Sequence, residues 1–233
     1  MNNLDILFQD DHLVAVNKPY GWLTHKSSIA RDATHIVLQQ LRDQIGAYVY
    51  PIHRLDRKTS GVLLFGLQPN IHREMSKLFM NEKIDKVYYA IVRGHTSEEE
   101  VIDYDLKNEA GKIQKAITHY KTLEKSEIPL AFGKFPTSRY SFVKLIPKTG
   151  RMHQLRRHMS HLFHPIIGDR PHGCNKQNRL MKAQFNYTEM LLHAESLSFI
   201  HPTSNEKIHI SAPFFDEFLR MRSLLGFNPK IEN

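Results

Sequence analysis

Two side chains stand out for where they sit. Asp56 lies in His53-Arg54-Leu55-Asp56-Arg57-Lys58-Thr59-Ser60-Gly61, a dense polar loop directly before the apolar run 61–67. Arg54, Arg57 and Lys58 surround it with positive charge, which favours its carboxylate form. An ionised aspartate can serve as a nucleophile or a general base. The same residue, with Thr59 and Ser60 behind it, can equally be a turn residue that orders the loop. Arg156 is the second. At 100° per residue, Met152, Leu155, Met159, Leu162 and Phe163 form one apolar stripe along segment 150–163, with Arg157 and His161 on the far side. Arg156 falls about 40° from Met152, inside the stripe. A guanidinium stays charged, so burying it demands an anion. The surrounding segment is nearly free of acids, so the partner is expected from elsewhere in the chain. Asp56 is the candidate, which predicts an Asp56–Arg156 ion pair. The alternative is that Arg156 snorkels past the edge of the stripe to water.

Tyr88 is the third candidate. Alternation along 86–93 puts Lys86, Tyr88, Ala90 and Val92 on one face of a strand. The small Ala90 beside the tyrosine leaves room over its ring for a flat group such as a nucleobase, although an ordinary amphipathic strand position would look the same. His153, His158, His161, His164 and His172 raise the question of a metal. There is no HExxH glutamate and the only cysteine is Cys174, so no metal site is expected.

These residues need a scaffold, and the composition provides for one. The chain has 233 residues, 41% of them hydrophobic, with a net charge of +8. That suits a globular protein with a real core and excludes collagen-like, mucin-like and disordered chains. No apolar run approaches the ~18 residues of a membrane span. With a single cysteine and no visible signal peptide, a reducing cytoplasm is expected. The charge is unevenly spread. Residues 128–188 carry eleven bases against one acid, Asp169, a net +10. Such a one-sided field attracts a polyanion, and nucleic acid is the usual one. A merely solvated basic face is the bland alternative.

Periodicity predicts strands at 5–9 and 13–17 joined by an Asp10-Asp11 turn, then strands at 61–67, 86–93, 118–123, 139–146, 191–200 and 207–210. Helices are predicted at 34–45, 70–83, 150–163 and 214–224, and surface loops at 98–100 and 108–112. Strands and helices do not alternate regularly, so the expected class is α+β in a single domain spanning 1–233.

Taken together, the motifs resemble a known family. The loop at 53–61 is similar to the HRLDxxTSG signature of the RluA-type pseudouridine synthases. Asn17-Lys18-Pro19-Tyr20-Gly21 is similar to their NKPxG opening, Lys86-Val87-Tyr88-Tyr89-Ala90 to their KxYxA strand, and Gly150-Arg151-Met152-His153-Gln154-Leu155-Arg156-Arg157-His158 to their GRxHQ(I/L)RxH helix. His164-Pro165-Ile166-Ile167-Gly168-Asp169 and Leu191-Leu192-His193-Ala194 follow in family order. The resemblance implies a bent, mainly antiparallel sheet with helices and loops around one catalytic cleft, without an S4 domain. It implies Asp56 as the catalytic aspartate, Tyr88 as the ring over the uracil and Arg156 as the partner of the aspartate. It implies that Arg54 fills the space left by an extruded nucleotide. Arg54, Arg57, Lys18, Lys86, Arg151 and Arg157 are the expected RNA-binding residues. Isomerising uridine involves neither redox change nor group transfer, so no cofactor is expected. Local features, Pro171-His172-Gly173 among them, point within the family to tRNA and to uridine 65. Ribosomal RNA as substrate, or RNA binding without catalysis, are the alternatives. No obligatory protein partner and no membrane is implied.

Overall fold

The computed structural model describes residues 3–26 and 35–228. In chain order the elements are β1 (Asp5–Gln9), β2 (Leu13–Lys18), α1 (Val37–Ile45), β3 (Tyr50–Pro51), β4 (Ser60–Gly66), α2 (Pro69–Met80), β5 (Asp85–Arg93) and β6 (Glu99–Asp103). There follow β7 (Leu106–Lys107), β8 (Ile113–Gln114), β9 (Ile117–Ile128), β10 (Ser138–Pro147) and α3 (Gln154–His161). The last are α4 (Asn175–Phe185), β11 (Leu192–Ile200), β12 (Lys207–Ser211) and α5 (Asp216–Leu224). The predicted α+β class is observed. No helix among the described residues is long and apolar enough to cross a membrane.

Contacts group the chain into two compact units, 1–86 with 193–213, and 87–192 with 214–233. In the first, the strands run β1-β2-β4-β11-β12, with β3 also paired to β4. Every residue of β2 and β4 is buried, as expected of apolar runs covered on both faces. The predicted Asp10-Asp11 turn is present: the Asp10 carboxylate accepts the amides of His12 and Leu13, each at 2.7 Å. Helix α2 starts on Pro69, whose missing N–H costs nothing in the first turn, and lays Ile71 and Met75 on the core. The predicted start of α1 at Thr34 lies outside the described residues.

The second unit is built on the antiparallel order β5-β10-β9-β6. Tyr89, Ile91, Tyr140 and Phe142 join residues of α4 and α5 in its core. The predicted loop at 98–100 runs into strand β6 instead. Glu99, Glu100 and Asp103 stay exposed while Ile102 is buried, so this edge strand reads as polar in sequence. The loop at 108–112 joins the short β7–β8 hairpin. Strand β9 continues five residues past its predicted end, because Lys125 and Glu127 are solvent positions of the same alternation.

Helix α3 is shorter than its predicted 150–163 span. His153 has φ of +54° and Phe163 has φ of +62°, so the helical backbone cannot include either. Met152 and Phe163 are therefore exposed rather than part of the apolar stripe, while Leu155 and Met159 are buried. Helix α4 was not predicted. Gln177 and Met181 are its buried residues, too few for a readable period.

Candidate active site

In the first unit, the Asp56 loop is fastened through its backbone carbonyls and through the Arg57 side chain. Lys18 is fully buried, and its ammonium donates to the carbonyls of Thr59 (2.7 Å), Pro19 (3.0 Å) and Arg57 (3.1 Å). Three donors meet three acceptors, which fastens the 17–21 segment to the turn that follows Asp56. Burial lowers the Lys18 pKa to about 7, and the negative charge of Asp56 pulls it back up. Arg57 adds a second fastening. Its Nε donates to the Gly21 carbonyl at 3.1 Å, and the Gly21 amide donates to the Arg57 carbonyl at 2.9 Å. The Thr59 amide donates to the Asp56 carbonyl at 3.0 Å and closes the turn. Asp56 itself is half-buried and Arg54 is exposed.

Two buried histidines of this unit, His53 and His193, hold its backbone in place. The Leu64 amide donates to His53 Nε2 at 3.1 Å, and the ring stacks on Phe79. Burial first, then the charge of Lys86, lowers the His53 pKa to about 3, so this ring is neutral and keeps Nε2 as an acceptor. His193 donates from Nε2 to the Ala212 carbonyl (3.1 Å) and accepts the Ser60 hydroxyl at Nδ1 (2.8 Å). The two motifs meet in a short parallel pairing of β4 with β11. There Gly61 has φ of +108°, and a Cβ on it would lie 2.0 Å from the Ala194 carbonyl oxygen. Glycine is required by both conformation and space.

Burial lowers the His193 pKa from 6.5 to about 4. Between these values the unfolded chain binds a proton that the folded chain does not. Stability is full above pH 6.5 and falls as the pH drops towards 4, by roughly 3 kcal/mol from this residue. Urea unfolding at pH 7 and pH 4.5 should show the loss, and His193→Asn should remove its share of it, leaving that of His53, whose pKa is lowered to about 3. An unchanged pH dependence in the variant would exclude His193 as its source.

In the second unit, Arg156 is 5% exposed, so it does not snorkel to water. Its Nε donates to Asp169 Oδ2 and one terminal nitrogen to Asp169 Oδ1, both at 2.8 Å, in a buried two-pronged pair. The single acid of the basic segment provides this carboxylate, which corrects the expectation that it had to come from elsewhere in the chain. Asp169 sits in a turn that only glycines allow: a Cβ on Gly168 would lie 1.6 Å from the Glu189 carbonyl oxygen, and one on Gly173 would lie 1.8 Å from that of Asp169. Asn178 braces the turn, donating to the Asp169 carbonyl (2.6 Å) and accepting the Gly168 amide (3.0 Å).

The rest of the 150–158 motif docks α3 so that Arg156 is presented. Gln154 Oε1 accepts from Thr149 Oγ1 (2.7 Å) and the Arg151 amide (3.0 Å), and Nε2 donates to the Ile117 carbonyl and Thr118 Oγ1, both at 3.0 Å. His158 bridges Thr118 Oγ1 and the Tyr104 carbonyl, both at 3.0 Å. His153 and His172 contact each other at 2.9 Å. Burial leads the lowering of the pKa of both His158 and His172. Tyr88 is half-buried on β5, opposite Leu145 of β10, while its neighbour Tyr89 belongs to the core.

The expected RNA-binding residues separate into two sets. Lys18 is completely enclosed and Lys86 is 8% exposed, so the Lys18 ammonium is a loop fastener rather than a phosphate contact. Arg151 and Arg157 are half-buried and reach the carbonyls of Lys115 and Lys107, both at 2.9 Å. Sequence reasoning missed the roles of Asp169, Gln154 and His193. The solitary position of Asp169 within a basic segment was the available signal.

The chain matches the RNA pseudouridylate synthase family over residues 12–161. It belongs to that family. Membership makes it an RNA-modifying isomerase. It is 48% identical over 229 residues to the tRNA pseudouridine synthase C of Vibrio parahaemolyticus, covering 94% of this chain and 93% of that one. It is 50% identical over 235 residues to the protein of the same name from Haemophilus ducreyi, covering 97% of each. Among solved structures, human RNA pseudouridylate synthase domain containing 4 has the same fold, with a TM-score of 0.73 and 24% identity over 95% of this chain and 92% of that one. The human domain containing 1 protein gives a TM-score of 0.71 at 25% identity, over 91% and 84%. The pseudouridine synthase fold expected from the motifs is thus observed. The Asp56 loop and the Arg156 helix both fall inside the matched family segment.

Proposed function

We propose that this chain converts a uridine of tRNA, uridine 65, to pseudouridine in the cytoplasm, with Asp56, Tyr88 and Arg156 as its catalytic set. Near-full-length identity to proteins named tRNA pseudouridine synthase C carries this reading. The reaction breaks N1–C1′, turns the uracil and joins C5 to C1′. N1 gains a proton and C5 loses one, so atoms balance without an external reactant. A stacked uridine hides these atoms, so it must leave the helix at a cost of a few kcal/mol. Phosphate contacts from the basic segment offset that cost and make binding sensitive to salt.

In this reading Asp56 acts on the sugar, either as nucleophile at C1′ or as base at C2′; both routes end in cleavage of N1–C1′. A rigid loop supports either route, since a carboxylate fixed in place pays no ordering cost at the moment of reaction. Tyr88 stacks on the uracil and takes the C5 proton. Arg156 retains the role that the family resemblance gives it, with Asp169 holding its guanidinium plane. Arg54 takes the space of the displaced nucleotide. The test is purified protein incubated with unmodified tRNA and, separately, with ribosomal RNA fragments, followed by nucleoside analysis. Pseudouridine in tRNA alone is expected. Product only in the ribosomal fragments would move the substrate, and product in neither would overturn the reading.

A further inference from the structure

A cavity of about 360 Å³ opens in the second unit between the Gly168–Arg170 turn and α4, and none of Asp56, Tyr88 or Arg156 lines it. We propose that this cavity is a docking site for the RNA backbone, seating one phosphate-bearing nucleotide of the substrate; the proposal rests on the RNA-modifying reading above and names a second point of grip. Its rim carries three cations, Arg170, Arg179 and Lys182, and no acid is among its lining residues. All three are exposed, and none makes an ion pair or side-chain hydrogen bond among the described residues. Asp169, the acid next to Arg170, is committed to Arg156. Arg179 and Lys182 are three apart on α4, so they share a face and repel each other. Three cations around one concavity are favourable only when an anion enters it.

The size and the floor narrow the choice of anion. The volume lies at the low end of the ~300–1,000 Å³ of ligand pockets, which is more than one inorganic phosphate needs. Met181 and Tyr187, both buried, give the floor an apolar wall suited to a ribose or a base. Asn175, the first residue of α4, also lines the cavity, where its amide and the positive end of the helix favour a phosphate oxygen. Asn178 belongs both to the cavity and to the brace on the Asp169 turn, so an occupied site would stiffen the turn that holds Arg156.

The test is direct binding of unmodified tRNA across a salt series, together with steady-state turnover. The Arg170→Ala/Arg179→Ala/Lys182→Ala variant removes only exposed side chains, and Arg179→Glu alone provides a second variant that reverses one charge. The triple variant should bind at least tenfold more weakly and lose about one unit of slope in log Kd against log salt. Its KM should rise while kcat at saturation holds. A mononucleotide at millimolar concentration should compete no better than salt of equal ionic strength if the occupant is RNA backbone, and better if it is a free nucleotide. Unchanged affinity and slope in both variants, or competition by the free nucleotide, would overturn the proposal. Wild-type protein that binds tRNA with the expected slope but makes no pseudouridine would instead count against the functional reading.

Discussion

Asp56→Asn is expected to abolish pseudouridine formation, lowering kcat by at least ~1,000-fold, about 4 kcal/mol of lost transition-state stabilisation. Asparagine has nearly the same shape but can neither form the glycosidic ester nor take a proton at C2′. The loop should survive the change. Its backbone is fastened by the Lys18 ammonium and by the reciprocal Arg57–Gly21 contacts, none of which uses the Asp56 carboxylate. RNA affinity should therefore stay within about twofold of wild type. The charge that raises the Lys18 pKa would also be gone, so Lys18 should release its proton more readily in the variant. Turnover and filter binding on the same tRNA make the comparison. Turnover within tenfold of wild type would remove Asp56 from the mechanism.

The second large effect concerns the Arg156–Asp169 pair. Removing one partner strips a buried charge of this two-pronged pairing, which costs about 3–5 kcal/mol. Arg156→Leu and Asp169→Leu should each lower the urea unfolding free energy by that order. Replacing both together removes that charge as well, so Arg156→Leu/Asp169→Leu should regain most of the lost stability. Turnover should remain absent in all three. Stability and activity thus separate: the pair can be replaced as packing but not as chemistry. A double variant that regains both would make Arg156 a structural residue only.

Much of this was legible in the sequence where one signal dominated. The apolar run of β4 and the i, i+4 pair Ile71 and Met75 of α2 gave their elements to within a residue or a few. The helical phase of Arg156 correctly placed a charge among buried residues. Its pairing with Asp169 was not legible in the same way. Asp169 lies thirteen positions away in a turn set by Gly168 and Gly173, and no periodicity connects a helix to a turn. The exposure of Met152 and Phe163 was hidden for a related reason. The helix ends at left-handed residues that are not glycine, His153 and Phe163, so the usual stop signals are missing. Lys18 read as a base available to RNA because its type is usually exposed; three backbone carbonyls converging on it are visible only in three dimensions. The edge strand β6 was concealed by its own exposed acids.

The measurement that bears most directly on the account is position-by-position mapping of pseudouridine in a tRNA transcript after exposure to the purified protein, with Asp56→Asn run in parallel. A single new pseudouridine at position 65, absent with the variant, is the expected result. A tRNA left unmodified by the wild-type protein, or modified equally by both proteins, would contradict it.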